Sequence, residues 1–422
     1  MEPLDVYSTS FKFCDCLETT KRALCSLYKR LPHKFGAHMY FIALQMLFGD
    51  RRKYVAIVIG ITFSALIMTQ QPSIFIGLLS RTYSFVNDVS LPDIWVMDPG
   101  VQFVEEHKPI RDTELGRIRG IQGVEWAVPM YKNLVRAKLP DGRTKTIDLT
   151  GLDDASLIGA PYQIIEGHLL DLRGSDAIFV DYEAARTRLR VKNGDKTTRA
   201  LRIGDILEIN DHRAIVAGYI KSTRNFVLQP QVYTTYSRAL HYASANRKYL
   251  TYVLVKTKTG KNLQNICERI ADSTGLSAYT AEEFRNVNLE YWMKNTGIPV
   301  NFGISVLLGF IVGAAVAGQT FFNFVQENLK HYAVLKSMGL ENGILIRMVM
   351  LQAMVVGLIG YGIGIGLTAL FGLNVHDSVL AFKMTPFILL FSATGVGVIV
   401  LLSAFLGIWR VVKVDPATVF RG

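Results

Sequence analysis

The chain has 422 residues, half of them hydrophobic, with a mean hydropathy of +0.24 and a net charge of +11. This composition excludes a disordered chain and is too apolar for an ordinary soluble enzyme of that length. The charge is spread out, +4 over residues 1–53, +4 over 81–297 and +3 over the remainder, so no single basic patch points to nucleic acid.

Residues 1–36 are polar and mixed and read as a cytoplasmic N-terminal extension. Cys14, Cys16 and Cys25 lie there without the two-residue spacer of redox or zinc motifs, and Cys267 stands alone, so the thiols read as ordinary reduced cysteines. From Ala37 to Asp50 the pattern changes. Met39, Tyr40, Ile42, Ala43, Met46 and Leu47 share one helical face, which predicts an amphipathic interfacial helix within 37–53. The stretch 54–79 carries no charged residue before Arg81 and predicts a first transmembrane helix, kinked at Pro72. Its position after 53 residues and its lack of a small-residue cleavage pattern argue against a cleaved signal.

Residues 80–297 have ordinary soluble composition. Strand-like runs occur at Asp93–Met97, Ala177–Val180, Ile206–Ile209, Ala214–Ile220 and Tyr252–Val255, separated by turns at Asp98-Pro99-Gly100, Asp141-Gly142 and Asn193-Gly194-Asp195. Helical runs occur at Thr113–Arg119 and Leu263–Ser273, and Thr280-x-x-Glu283 is a capping box opening a helix from Ala281 to Lys294. That helix would form a stalk leading into the next span. Three further spans follow at 298–325, 348–373 and 386–409, joined by a 326–347 loop and a short 374–385 loop, with a tail over 410–422.

Arg51, Arg52 and Lys53, then Lys330, Lys336 and Arg347, then Arg410, Lys413 and Arg421 flank the spans on one side; the 374–385 loop holds only Lys383 against Asp377. The positive-inside rule therefore predicts that both termini and the 326–347 loop are cytoplasmic. Tyr54, Trp292 and Trp409 fall near the interfaces, where amphipathic aromatics belong. The expected fold class is a membrane protein with four transmembrane helices, one and then three, and a large α+β external (periplasmic) domain between the first and second.

No Asp, Glu, Lys, Arg or His lies within the four spans, which argues against an ion-coupled transporter or a voltage-gated channel. Small residues recur at helical spacing instead: Gly60 and Ser64, then Gly309, Gly313 and Ala317, then Gly362 and Gly366. Such stripes predict a helix-packing or dimer face. In the external domain His107, His168, His212 and His241 are widely spaced, with no His-Glu-x-x-His and no Gly-x-Ser-x-Gly. Glu105-Glu106, Asp153-Asp154 and Glu282-Glu283 are adjacent pairs whose side chains diverge. No catalytic residue, metal site or cofactor is predicted. Arg186, Arg188, Arg190 and Lys192 would form a ladder if strand-borne, read first as a solvated face and alternatively as a contact for an acidic partner or lipid headgroups.

In the 326–347 loop Tyr332, Leu335 and Met338 repeat every third residue, Gly339 suits a C-cap, and Asn342-Gly343 a turn. A short helix with an apolar stripe can dock into a partner's groove. The run Ala333-Val334-Leu335-Lys336-Ser337-Met338-Gly339 behind the acidic Glu327, entering a Gly-rich span, resembles the signature of MacB/FtsX-type ABC transporter permeases. Residues 40–422 share that family's layout. Glu166-Gly167-His168-Leu169-Leu170, Ile203-Gly204-Asp205, Val216-Ala217-Gly218-Tyr219 and Gln229-Pro230-Gln231-Val232-Tyr233 are similar to its periplasmic core, and Asp415-Pro416-Ala417 to its ending. Asp93-Ile94-Trp95-Val96-Met97-Asp98-Pro99 looks most like the DevC branch.

The resemblance implies a homodimeric permease whose loop is a coupling helix gripped by a separate ATPase. It also implies a periplasmic adaptor and an outer-membrane channel as partners, with lipid or glycolipid cargo. Glu327, Tyr332, Leu335 and Met338 are the expected ATPase contacts. No Gly-x-x-x-x-Gly-Lys-Ser/Thr occurs, unlike fused MacB proteins with their own nucleotide-binding domain, so ATP hydrolysis falls to a partner subunit. The loop also lacks the Arg-rich stretch of many relatives. Two alternatives are an FtsX-like regulator of external cell-wall hydrolases and a motor-less membrane-anchored sensor.

Overall fold

A computed structural model describes residues 36–89, 91–161, 163–192, 197–243, 249–258, 260, 262–375 and 380–413. The N-terminal extension, the Asn193-Gly194-Asp195 turn, Asp377 and the Asp415-Pro416-Ala417 ending lie outside the described residues. In chain order the elements are α1 (Gly36–Gly49), α2 (Arg51–Thr82), α3 (Ser84–Asp88), β1 (Ile94–Met97), α4 (Thr113–Arg119), β2 (Val124–Lys138), β3 (Thr144–Leu152), β4 (Gln163–Glu166) and β5 (Ala177–Asp181). There follow α5 (Tyr182–Arg186), β6 (Val191–Lys192), β7 (Thr198–Arg199), β8 (Ile206–Ile209), β9 (His212–Lys221), β10 (Gln231–Thr235), α6 (Tyr236–Tyr242) and β11 (Tyr252–Thr257). The chain continues through α7 (Leu263–Thr274), β12 (Ser277–Thr280), α8 (Ala281–Asn295), α9 (Ile298–Glu327), α10 (Leu329–Ser337), α11 (Asn342–Val375) and α12 (Pro386–Val412).

The described residues form two compact units: a helical unit from those within 1–73, 302–378 and 383–422, and an α+β unit from those within 74–301 and 379–382. In the helical unit α2, α9, α11 and α12 have 32, 30, 34 and 27 residues. Each exceeds the roughly 20 apolar residues that a ~30 Å hydrocarbon core requires. The helix α2 continues through Pro72 to Thr82.

Small residues set how closely these helices approach. A Cβ on Gly313 of α9 would lie 2.3 Å from Ser64 of α2, and one on Gly309 2.5 Å from Ile67. The Ser64 hydroxyl donates to the Gly309 carbonyl at 3.1 Å, and Ala317 is fully buried one turn beyond Gly313. On α11 the close contacts belong to Gly360 against Ile61 (2.8 Å), Gly364 against Ala65 (2.6 Å) and Gly357 against Val400 of α12 (2.6 Å). Gly362 and Gly366 face open space, so the expected packing role passes within this chain to the neighbouring set. The physical reason is angular: at 100° per residue, Gly360 and Gly364 lie on a different face from Gly362 and Gly366.

In the α+β unit the main sheet runs β12-β1-β11-β2-β3-β10-β5-β9-β4, with β8 pairing β2 and β9. β2 joins its halves, pairing antiparallel with β11 over its first residues and with β3 over Tyr131–Lys138. Both faces of β1 are covered. Trp95 and Met97 enter one apolar cluster with Tyr252 and Phe284, while Ile94 and Val96 enter another with Ile118, Ile266 and Ile270. That split is the period-2 alternation of a strand between two layers.

The helices end where their caps dictate. Asn262 accepts from Gln264 N to open α7, and Gly275 closes it at φ +72°. Thr280 and Glu283 form a reciprocal capping box on α8, with the Thr280 hydroxyl accepting from Glu283 N at 3.2 Å and Glu283 accepting from Thr280 N at 2.8 Å. Cys267 is buried in α7, and burial beside Glu283 and Glu268 pushes its thiol up to about 12, so it is chemically quiet.

Candidate functional site

The helix α10 is short because its two ends are fixed. Asn328 N donates to Phe324 O and its side-chain amide donates to the same carbonyl, marking the break from α9. At the other end Gly339 takes φ +93°, with its N–H bonded to Lys336 O and the Leu340 N–H to Leu335 O. This is a Schellman closure, which a left-handed glycine makes without strain. Asn342 then starts α11 directly, so the expected Asn342-Gly343 turn is instead the first turn of a helix. Its Ile344 and Leu345 N–H groups bond back to Glu341 O.

The predicted stripe on α10 is graded, not uniform. Tyr332 is fully buried, Leu335 is half-buried against the bundle, and Met338 is 74% exposed, with Val334 exposed beside it. Tyr332 is therefore no surface contact, and its expected role is corrected. Its hydroxyl donates to Gln352 Oε1 of α11 at 2.8 Å, and Gln352 Nε2 donates to the Ala43 carbonyl of α1 at 2.8 Å. All three residues are buried, so each polar group needs the next. The chain of bonds ties α10, α11 and α1 together. Lys336 Nζ adds a bond to Val412 O at the end of α12, 3.0 Å away. Nothing in the sequence pairs Gln352 with Tyr332, although a lone glutamine in an apolar span signals a polar partner.

Glu327, at the end of α9, is 58% exposed at its side chain and bonds in-chain to Lys53 at the start of α2; Lys53 also pairs with Asp50 at 2.7 Å. An open groove lined by Ile42, Gln45, Met46, Lys53, Glu327 and His331 runs beside this pair. The helix α1 is not merely laid on a surface: Ala43 and Leu47 are buried in the bundle, while Tyr40, counted on the same face, is 36% exposed.

In the α+β unit the described residues contain no group of three or more His, Cys, Asp and Glu able to hold a metal. His212 and His241 lie in contact with ring centroids 3.9 Å apart and planes tilted by 41°, a pairing their separation in sequence conceals. Arg186, Arg188 and Arg190 are not carried on one strand face. They lie in α5 and the turn after it, bonded to Tyr182 Oη, Leu228 O and Arg186 O respectively. Trp292 packs on Phe226 with ring centroids 4.0 Å apart. The centre of the unit holds a buried ion pair, Lys132 Nζ to Asp148 Oδ2 at 2.6 Å, both 1% exposed. Burial also pushes the nearby Glu105 carboxyl up to about 7, with Lys132 opposing the shift and Asp148 adding to it.

Comparison with known proteins places these units in context. Residues 55–273, a little over half of the chain, match the MacB-like periplasmic core domain, and residues 303–416 match the FtsX-like permease C-terminal region. Uncharacterized ABC transporter permeases of Mycobacterium tuberculosis and Mycobacterium bovis are 34% identical over 123 residues, which is 28% of this chain and 33% of theirs. The chain thus spans about a third of the length of the curated relatives it matches. Among solved structures, the extracellular domain of the noncanonic ABC-type transporter YknZ from Gram-positive bacteria aligns with a TM-score of 0.31 at 13% identity, covering 45% of this chain and 99% of that one. The periplasmic region of MacB from Actinobacillus actinomycetemcomitans aligns with a TM-score of 0.35 at 11% identity, covering 50% and 96%.

Proposed function

The chain belongs to the MacB/FtsX-type ABC transporter permeases, and from that premise we propose that it is the membrane subunit of an export complex driven by a separate cytoplasmic ATPase. The observation that carries this reading is the buried Tyr332–Gln352–Ala43 chain of hydrogen bonds behind the exposed Met338 and Val334. A push on the outer face of α10 reaches α11 and α1 through groups that cannot separate without leaving buried polar atoms unpaired. The sequence has no phosphate-binding loop of its own, so the work comes from another subunit. Both termini and α10 then lie in the cytoplasm and the α+β domain outside, as the basic flanks require.

Close small-residue packing lets the four spans move as stiff bodies rather than as a polar pore. Spans without a charged residue suit a cargo taken from the bilayer, a lipid, glycolipid or other amphiphile. A homodimer, a periplasmic adaptor and an outer-membrane channel belong to this reading by resemblance. Met338→Asp places a charge on the exposed end of α10 without entering the bundle. Recovery of the cognate ABC ATPase with the full-length chain is expected to fall at least about tenfold, the effect of losing one apolar anchor of an interface. Undiminished recovery would remove α10 as the docking element.

A further inference from the structure

The segment from Ser222 to Leu228, between β9 and β10, has neither helix nor strand. Its sequence, Ser-Thr-Arg-Asn-Phe-Val-Leu, is polar over its first four residues, and none of its three apolar side chains is fully buried. Three carboxylates from three different elements hold it. Asp181, closing β5, accepts from the Ser222 N–H and hydroxyl, both at 3.1 Å. Asp88 of α3 accepts from Thr223 N at 2.8 Å and from the Thr223 hydroxyl at 2.7 Å. Asp148 of β3 accepts from Asn225 Nδ2 at 3.2 Å, while bound to Lys132 and to Gln231 Nε2 at 2.9 Å.

The segment's one aromatic side chain faces another element. Phe226 packs on Trp292 of α8 at 4.0 Å, and Trp292 and Tyr291 enclose Phe103 at 5.7 and 4.6 Å. Between α3 and α8 themselves Arg285 donates to Asn87 Oδ1 at 3.2 Å. The helix α3 directly follows the first span in the chain, and α8 directly precedes the second. The two ends by which the domain is strung into the membrane segments therefore meet on one short stretch of coil.

We propose that residues 222–228 are a carboxylate-held clasp that ties α3 and α8 to the sheet, so that loosening either helix releases the other. Three features suit it to open as a unit. Its contacts are polar bonds around a single aromatic, which makes it a low-cost element to undo compared with the apolar strands beside it. Burial raises the Asp88 and Asp181 carboxyls from their ordinary value, so sealing them in place is opposed, while the bonds from Thr223 and Ser222 act against that rise. Leu228, at the far end, is held at φ +59°, a conformation disfavoured for a branched side chain, and Arg188 donates to its carbonyl. The segment joins β9 to β10, which lie on either side of β5, so it can open while those strands stay paired.

The test is amide hydrogen exchange on the full chain in lipid nanodiscs, which needs neither ATPase nor cargo; its failure would leave the permease reading untouched. Asp88→Ala, made at the α3 end, is expected to raise exchange about tenfold in 222–228 and also in 281–295, with β5 and β10 unchanged. Phe226→Ala, made at the α8 end, is expected to raise exchange in 84–88 in the same way. A rise confined to the mutated side in either variant overturns the clasp. A rise spread equally over β5 and β10 also overturns it, since the segment would then be ordinary core.

Discussion

Asp148→Ala is expected to destabilise the α+β domain by about 3–5 kcal/mol, the largest effect of any single substitution away from its apolar core. Lys132 and Asp148 are each 1% exposed, and the aspartate also receives Asn225 and Gln231. Removing the carboxylate strands a buried ammonium, whose remaining company is the Phe85 ring at 4.0 Å and the half-buried Glu105. Desolvation of that charge, not loss of the pair's attraction, is the dominant cost. The double variant Lys132→Met/Asp148→Leu should recover part of the loss, because the ammonium is gone with the carboxylate, while the buried Asn225 and Gln231 amides still lose their acceptor. The measurement is the domain's unfolding midpoint, followed by tryptophan fluorescence from the buried Trp95. A single variant shifted no further than the double would show that the pair is solvated.

Gln352→Leu is expected to have the largest effect on function. It leaves the buried Tyr332 hydroxyl without its partner, at a cost of about 1–3 kcal/mol, and cuts the side-chain bond from α11 to the Ala43 carbonyl of α1. Export per ATP hydrolysed should fall at least about tenfold while the chain still inserts and binds its ATPase. Adding Tyr332→Phe removes the orphaned hydroxyl and should restore most of the stability. It should not restore export, because the mechanical link stays broken. Export at the unmodified level in Gln352→Leu would show that α10 acts through apolar packing alone.

These two sites show what sequence carries and what it hides. The four spans were legible because ~20 apolar residues without a charge have few other uses. The caps of α8 and α10 were legible because Thr280 with Glu283, and Gly339, act through bonds within a few residues of themselves. The strand β2 was not, since Lys132 and Asn133 interrupt its apolar pattern, and the distant Asp148 and Thr251 that satisfy the Lys132 side chain and backbone are not visible in sequence. The choice between Gly360–Gly364 and Gly362–Gly366 was hidden for a related reason. Both sets have helical spacing, and only the position of Ile61 and Ala65 on α2 decides which is enclosed. Tyr332 was read correctly as apolar in habit but assigned to the wrong side of α10, because an i, i+3 stripe does not state which neighbour covers which turn.

The central claim is that α10 faces the compartment where ATP is hydrolysed. A Met338→Cys chain, with Cys14, Cys16 and Cys25 replaced by serine and the buried Cys267 retained, tests it directly. A membrane-impermeant maleimide should label residue 338 in inverted vesicles and leave it unlabelled in intact cells. Labelling in intact cells, with none in inverted vesicles, would put α10 outside and contradict the account.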